Sequence, residues 1–186
     1  MTTSKIDFLK GFIKTIDDYP IKGVSFKDIS PLLADVKAMK IASECLAQTL
    51  PNKIISSVMA IESRGFIFGS VLSIVNNASF IMIRKAAKLP PVISNVFFDS
   101  KSEYSKEKLG FNSSYLSKGI ILIHDDVLAT GGTVKSVVEA LINKCGINSS
   151  NIYLSFLVEL SFLKGKHNLL DENIIPETHI KSLIVY

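Results

Sequence analysis

Residues 125–133, read as "DDVLATGGT", combine side chains and spacings that suit a phosphate-bearing ligand. They follow an apolar run and precede a helical pattern, so the N–H groups of a small-residue turn would converge beside a positive helix N-terminus. Glycines remove the Cβ atoms that would block close approach, and threonines supply hydroxyl donors. The spacing of a Walker loop, GxxxxGK[ST], is absent here. The segment therefore predicts a phosphate cradle at Ala129, Thr130, Gly131, Gly132 and Thr133.

Two adjacent acids, Asp125 and Asp126, stand at the edge of this predicted cradle. Carboxylates repel phosphate, but they accept hydrogen bonds from ribose hydroxyls and hold Mg²⁺ through water. The alternative is a strand-end turn with capping acids. The joint pattern of acids, small residues, threonines and glycines favours a ribose-phosphate site.

Two further segments place cations where strands are expected to end. Arg64, in the turn "ESRG", suits bidentate contact with diphosphate oxygens, and its alternative is a surface arginine paired with Glu62. Arg84, Lys85 and Lys88 put three cations within five residues. Positive charge there would stabilise a departing diphosphate, although a solvated basic loop is the alternative.

The elements that must position these residues alternate between strands and helices. Apolar runs predict strands over 54–61, 79–84, 120–126, 152–160 and 179–186, and helical periodicity predicts helices over 5–16, 35–50, 66–76 and 132–146. Residues 17–35 predict an ordered loop, and the polar stretch 97–119 predicts a mobile hairpin or lid. This alternation is typical of a mainly parallel sheet covered on both faces, which binds ligands beyond the carboxyl ends of its strands.

Composition limits the class of protein. A chain of 186 residues with 47% hydrophobic content suits a single domain over 1–186. Neither a long apolar run nor a secretory leader is present, so we expect no membrane span and no signal peptide. Two separated cysteines, Cys45 and Cys145, favour a reducing cytoplasm, and a scattered net charge of +4 does not predict nucleic-acid binding.

The cradle segment resembles the signature of the type I phosphoribosyltransferases, which bind 5-phosphoribosyl 1-diphosphate (PRPP). Four further segments resemble that family in the same order: "YPIKGVSFKDISPLLAD" at 19–35, "ESRGFIFG" at 62–69, "IRKAAKLP" at 83–90 and "LVELSFLKGKHNL" at 157–169. The resemblance implies the α/β fold of that family, with a central, mainly parallel sheet flanked by helices. It also implies an N-terminal hood at approximately 1–35 and a flexible lid at approximately 92–118.

The variant "LATGGT" is similar to that of family members that act on adenine. The resemblance thus implies purine salvage, in which the phosphoribosyl group of PRPP passes to adenine and gives AMP and diphosphate. It implies Mg²⁺ held mainly by substrate and water, and a homodimer. The alternatives are the same fold acting on another base, a PRPP-binding regulator without turnover, and a degenerate enzyme.

The resemblance also assigns roles to residues by matching positions. Catalysis falls to Glu103 and Tyr104 in the lid, together with Arg64. Contacts with PRPP or AMP fall to the acid pair and cradle and to Ser63, Arg64, Arg84, Lys85, Lys88 and Lys27. Base contacts fall to Ser25, Phe26, Val127 and Leu128. A cis peptide is implied near Glu62–Ser63.

The lid departs from the family pattern. Ser105 and Gly110 replace a glycine and a glutamate, Ala87 replaces a glycine, and extra residues precede Glu103. These differences concern the register and the hinge of the lid, and they leave the cradle untouched.

Overall fold

A computed structural model describes residues 3–19, 21–22, 24–50, 52–101, 106–170 and 174–186. The chain divides into two compact units, Met1–Gln48 and Thr49–Tyr186. Within the described ranges, every helix is too short or too polar to cross a membrane.

The N-terminal unit combines three helices with a small hairpin. Its elements are α1 (Thr3–Lys10), β1 (Lys14–Asp17), β2 (Ser25–Asp28), α2 (Ser30–Ala34) and α3 (Val36–Thr49). Strands β1 and β2 pair antiparallel, from Lys14↔Asp28 to Asp17↔Ser25. The prediction for 35–50 is confirmed as α3.

The predictions for 5–16 and 17–35 are partly wrong. Helix α1 ends at Lys10, just before Gly11, and the chain then enters β1, where Ile16 pairs with Phe26. Glycine disfavours a helix interior, and the β-branched residues that follow suit a strand better. The predicted loop contains β2 and α2, the latter with a proline in its first turn.

The C-terminal unit is built on one seven-stranded sheet. Its elements are β3 (Ile55–Ile61), α4 (Gly65–Val75), β4 (Ser79–Lys85), β5 (Asn95–Lys101), β6 (Lys106–Asn112), β7 (Ile120–Leu128), α5 (Gly132–Cys145), β8 (Ile152–Glu159), α6 (Gly165–Leu170) and β9 (Ile180–Val185). The strand order is β5-β6-β4-β3-β7-β8-β9. Strands β4, β3, β7, β8 and β9 run parallel, and β6 is antiparallel to both β4 and β5. The predicted mainly parallel sheet is confirmed.

The core of this unit explains why its strands read as apolar runs. Buried strand residues such as Ile121, Ile123 and Leu154 share one hydrophobic cluster with the α5 residues Val137 and Leu141. Burial of these side chains supplies the main driving force for docking α5 on the sheet. Helix α5 therefore has a fixed position, with its N-terminus directly after β7.

The hairpin predicted within 97–119 is present as β5 and β6, which pair from Asn95↔Asn112 to Lys101↔Lys106. Residues 102–105, with the predicted catalytic residues Glu103 and Tyr104, lie outside the described residues. The mobility of the lid, its bounds at 92–118, the hood at 1–35 and the single domain stay predictions.

Candidate active site

The acid pair and Arg64 meet at the carboxyl edge of two neighbouring strands. Asp125 and Asp126 lie near the end of β7, which is two residues longer than predicted, and Arg64 follows β3. Because β3 and β7 are adjacent and parallel, their ends share one edge of the sheet. Arg64 Nε lies 2.8 Å from Asp126 Oδ2, an ion pair whose N–H is not aligned for a hydrogen bond. Arg64 therefore pairs with Asp126.

Ionisation of both neighbouring carboxyl groups at once is unfavourable. Burial and the charge of Asp126 raise the pKa of Asp125 well above its ordinary value. Burial also raises the pKa of Asp126, and the opposing charge of Arg64 does not cancel this effect. The Asp126 N–H donates to Asp125 Oδ1 at 2.9 Å. Hydroxyl donors placed here would relieve the repulsion by hydrogen-bonding to the charged oxygens.

The residues predicted as the phosphate cradle form one turn between β7 and α5. Gly131 has a left-handed φ of 82°, a conformation that favours glycine, and α5 begins at the next residue. A Cβ on Gly131 would lie 2.9 Å from the carbonyl oxygen of Gly165, too close for an ordinary contact. The turn thus presents its backbone at the positive end of α5, an arrangement that binds phosphate.

The basic segment, residues 84–88, spans the end of β4 and the turn after it, and it surrounds one acid, Glu62. Its side chain, 7% exposed, accepts hydrogen bonds from Lys88 Nζ and from the Lys85 N–H, the latter at 2.9 Å. Arg84 Nε lies 3.7 Å away. Burial raises the pKa of Glu62, but these hydrogen bonds and the charges of Lys88 and Arg84 outweigh burial and hold it below its usual value.

Sequence reasoning missed this role of Glu62. The available signal was that Glu62 directly follows β3 while Arg84 and Lys85 end β4, so adjacent parallel strands bring them together. The peptide bond between Glu62 and Ser63 is cis, as the resemblance implied. Ser63 is exposed in this turn.

Lys85 also connects the basic segment to the hairpin. Its Nζ lies 2.7 Å from Glu107 Oε1 on β6, and this hydrogen bond raises the pKa of Lys85. The partners are 49% and 37% exposed, so a more highly charged anion has access to Lys85.

The residues predicted to contact the base lie on two strands. Ser25, Phe26 and Lys27 occupy β2 of the N-terminal unit, where the Phe26 ring lies edge-on to Tyr19 at 5.2 Å and Lys27 Nζ donates to Thr15 Oγ1 at 2.7 Å.

In the C-terminal unit, Val127 is half-buried on β7 and Leu128 is 1% exposed in the core. Of these two side chains, Val127 is the one that keeps surface for a ligand.

The oxygen donors of the acid pair fit a hard cation such as Mg²⁺. Among the described residues, however, there is no group of three side chains able to hold a metal ion. One of the two acids also faces Arg64. This donor set fits a cation whose coordination comes largely from elsewhere, through a ligand or water.

Known proteins resemble the chain over most of its length. The family described as Phosphoribosyl transferase domain matches residues 27–158. The adenine phosphoribosyltransferase of Christiangramia forsetii is 44% identical over 162 residues, covering 87% of this chain and 92% of the relative.

Solved structures agree in fold. The adenine phosphoribosyltransferase of Rhodothermus marinus matches with a TM-score of 0.84 and 31% identity, over 100% of both chains. The APRTase of Giardia lamblia, complexed with 9-deazaadenine, matches with a TM-score of 0.85 and 32% identity, over 97% of both chains. With its signature turn, acid pair and basic segment at one edge of a parallel sheet, this chain belongs to the adenine phosphoribosyltransferases of the phosphoribosyltransferase family.

Proposed function

We propose that this chain transfers the 5-phosphoribosyl group of PRPP to adenine, giving AMP and diphosphate in purine salvage. The observation that carries the proposal is the convergence of cradle, acid pair and cations at the carboxyl edge of β3, β4 and β7. PRPP has three corresponding parts: a 5-phosphate, a ribose with two hydroxyls, and a diphosphate.

The cradle binds the 5-phosphate through the backbone and hydroxyls of Ala129–Thr133. Asp125 and Asp126 accept hydrogen bonds from the ribose hydroxyls. Arg64, Ser63 and the basic segment surround the diphosphate, with Lys27 as a further phosphate contact. Such pre-positioned charges stabilise a leaving group because they need little reorganisation during the reaction.

The reaction forms a bond between adenine N9 and C1′ of the ribose while the bond from C1′ to the diphosphate oxygen breaks. The electron pair of that bond leaves with the diphosphate, where the cations stabilise it. Glu103 accepts the proton that adenine loses, and Tyr104 helps to cover the reacting bond. Excluding water protects the cationic ribosyl group from hydrolysis.

Phe26 is proposed as an aromatic surface for adenine. In the C-terminal unit, Val127 is proposed as an apolar contact for the base. Backbone groups around Ser25 offer a donor and an acceptor side by side, which match the N1 and N6 edge of adenine and mismatch hypoxanthine. Leu128 supports this contact from the core.

Mg²⁺ is the proposed cofactor, and when bound it would neutralise diphosphate charge. Asp125 and Asp126 would hold it through water, and the substrate would supply its other ligands. We place the protein in the cytoplasm, with no nucleic-acid or membrane partner.

We further propose a homodimer. Ile74 and Val75, at the end of α4, are 80% and 60% exposed, and apolar surface of this kind is commonly covered by association. Light scattering after gel filtration should give twice the chain mass of 20.4 kDa. A mass of one chain would contradict the dimer.

The decisive experiment measures AMP formation from adenine, PRPP and Mg²⁺, with hypoxanthine and guanine in parallel. Turnover with adenine alone supports the proposal. Turnover with another base supports the alternative substrate. PRPP binding without turnover supports a sensor or a disabled enzyme. The variant D126N should lose activity, whereas D7N, changed on α1, should keep it.

A further inference from the structure

Helix α6 holds one carbonyl of the cradle through a side chain. Asn168 Nδ2 donates to the carbonyl oxygen of Thr130 at 3.0 Å, across 38 residues of sequence. Asn168 is not among the residues proposed to contact the substrate.

This hydrogen bond orients the peptide group between Thr130 and Gly131. The peptide bond between Thr130 and Gly131 is trans, so its C=O and N–H point in opposite directions. With the Thr130 oxygen held toward α6, the Gly131 N–H points away from α6. The hydrogen bond from Asn168 therefore fixes the direction of the Gly131 N–H.

Two nearby carbonyls are held by backbone groups. The Leu128 oxygen accepts from the Leu160 N–H at 2.9 Å, and the Gly131 oxygen accepts from the Lys135 N–H at 2.9 Å. Of these three carbonyls, Thr130's is the one held by a side chain. A substitution of Asn168 therefore removes this hydrogen bond while the two backbone hydrogen bonds remain.

Close packing places Asn168 at this point. A Cβ on Gly165 would collide with the carbonyl oxygen of Ala129, so the start of α6 lies directly against the cradle. Asn168 is three residues further along α6 and therefore on the same helix face as Gly165. Its amide thus reaches the next carbonyl of the turn.

We propose that Asn168 is a positioning residue for the phosphate cradle, fixing the Thr130–Gly131 peptide so that the Gly131 N–H serves the 5-phosphate of the substrate. This inference rests on the proposed phosphate-binding role of the cradle. It predicts a specific loss of phosphate affinity, because Asn168 is exposed and its truncation leaves no core cavity.

The test compares N168A and N168L with N168Q, which retains an amide donor, and with N143A as a control. Asn143 is an exposed asparagine on α5, so N143A applies the same chemical change at another helical position. Titration calorimetry measures the Kd for ribose 5-phosphate. Steady-state kinetics measure kcat and the KM values for PRPP and adenine, and thermal melting measures Tm.

N168A and N168L should raise the ribose 5-phosphate Kd and the PRPP KM by about 3- to 10-fold, the effect of one oriented hydrogen bond. The KM for adenine and the Tm should stay unchanged. N168Q should recover at least part of the affinity, and N143A should match the wild type.

The outcomes separate this inference from the proposed function. Weaker ribose 5-phosphate binding by N168A supports the inference even if the wild type makes no AMP. Equal binding by wild type and N168A overturns it even if AMP forms. A lowered Tm, together with a lower kcat and similar increases in the Kd and in both KM values, indicates that Asn168 only stabilises the fold. That result also overturns the inference. A wild type that does not bind ribose 5-phosphate overturns both ideas.

Discussion

His124 is a buried titratable side chain directly beside the acid pair. Its Nδ1 lies 3.2 Å from Ser155 Oγ on the neighbouring strand β8, and its Nε2 has no hydrogen-bond partner within the described structure. Burial lowers the pKa of His124 to about 3. The imidazole is therefore neutral in the folded chain near pH 7, and its protonation opposes folding.

We predict that His124 makes the fold sensitive to mild acid. Unfolded histidine takes up a proton near pH 6.5, while folded His124 does so near 3, so its contribution to stability is present above 6.5 and is lost as pH falls toward 3. Between pH 7.5 and 5.0 the loss should be about 2 kcal/mol. Urea unfolding of wild type and H124L at both pH values measures it. Parallel changes in the two proteins would contradict a buried neutral imidazole.

We expect the Asp125 carboxyl group to lower the stability of the folded chain while it contributes to ligand binding. The variant D125N removes a carboxyl whose pKa burial and Asp126 raise, so its urea midpoint at pH 7.5 should rise. Its rate of AMP formation at low PRPP should fall by about 10- to 100-fold, because a charge-assisted hydrogen bond to ribose is lost. A lower midpoint together with full activity would contradict both statements.

At the scale of elements, the hairpin β5–β6 is joined to β4 in two ways. The backbone pairs at Arg84↔Gly110 and Lys85↔Leu109, and Lys85 pairs with Glu107. Packing favours glycine at position 110, because a Cβ there would lie 2.7 Å from the Phe97 ring and 2.8 Å from the Val96 carbonyl oxygen. The departure noted at this position is thus accommodated by the hairpin itself.

The Lys85–Glu107 pair should compete with diphosphate. Removing the carboxylate in E107A leaves Lys85 available to the ligand, so the inhibition constant of diphosphate should fall by about 2- to 5-fold, a change typical of an exposed ion pair. The Tm should be unchanged. E44A, at an exposed glutamate on α3, serves as the control. Weaker inhibition in E107A would mean instead that Glu107 orients Lys85 toward the diphosphate.

At the scale of the whole molecule, binding of the proposed substrate is linked to the stability of the fold. Ligand that binds only the folded chain adds to its stability according to its concentration relative to Kd.

PRPP with Mg²⁺ at 100 times its Kd should add about 2.7 kcal/mol of stability. For a chain of 186 residues this corresponds to a rise in Tm of about 5–10 °C. Differential scanning fluorimetry measures the shift, with EDTA as the control that removes the cation. A shift unaffected by EDTA would argue against Mg²⁺ as part of the bound species.

Much of the sheet was predictable because its strands are buried on both faces. Their apolar runs mark β3, β4, β7, β8 and β9 within a few residues. The first helix was overextended because its apolar spacing continued past Gly11 into a strand. The site was predictable where chemistry lies in a continuous segment, as in the cradle at Ala129–Thr133.

The sequence by itself determined the order of helices and strands and the edge of the sheet where the polar residues collect, because local periodicity and the geometry of parallel strands depend on neighbours in the chain. Only the tertiary structure decided the partners across that edge: Arg64 with Asp126, Lys88 with Glu62, and Asn168 with the Thr130 carbonyl. These pairings depend on β3 lying between β4 and β7 and on α6 packing against the cradle. Such long-range adjacency is set by the packing of the whole core, and no short stretch of sequence encodes it.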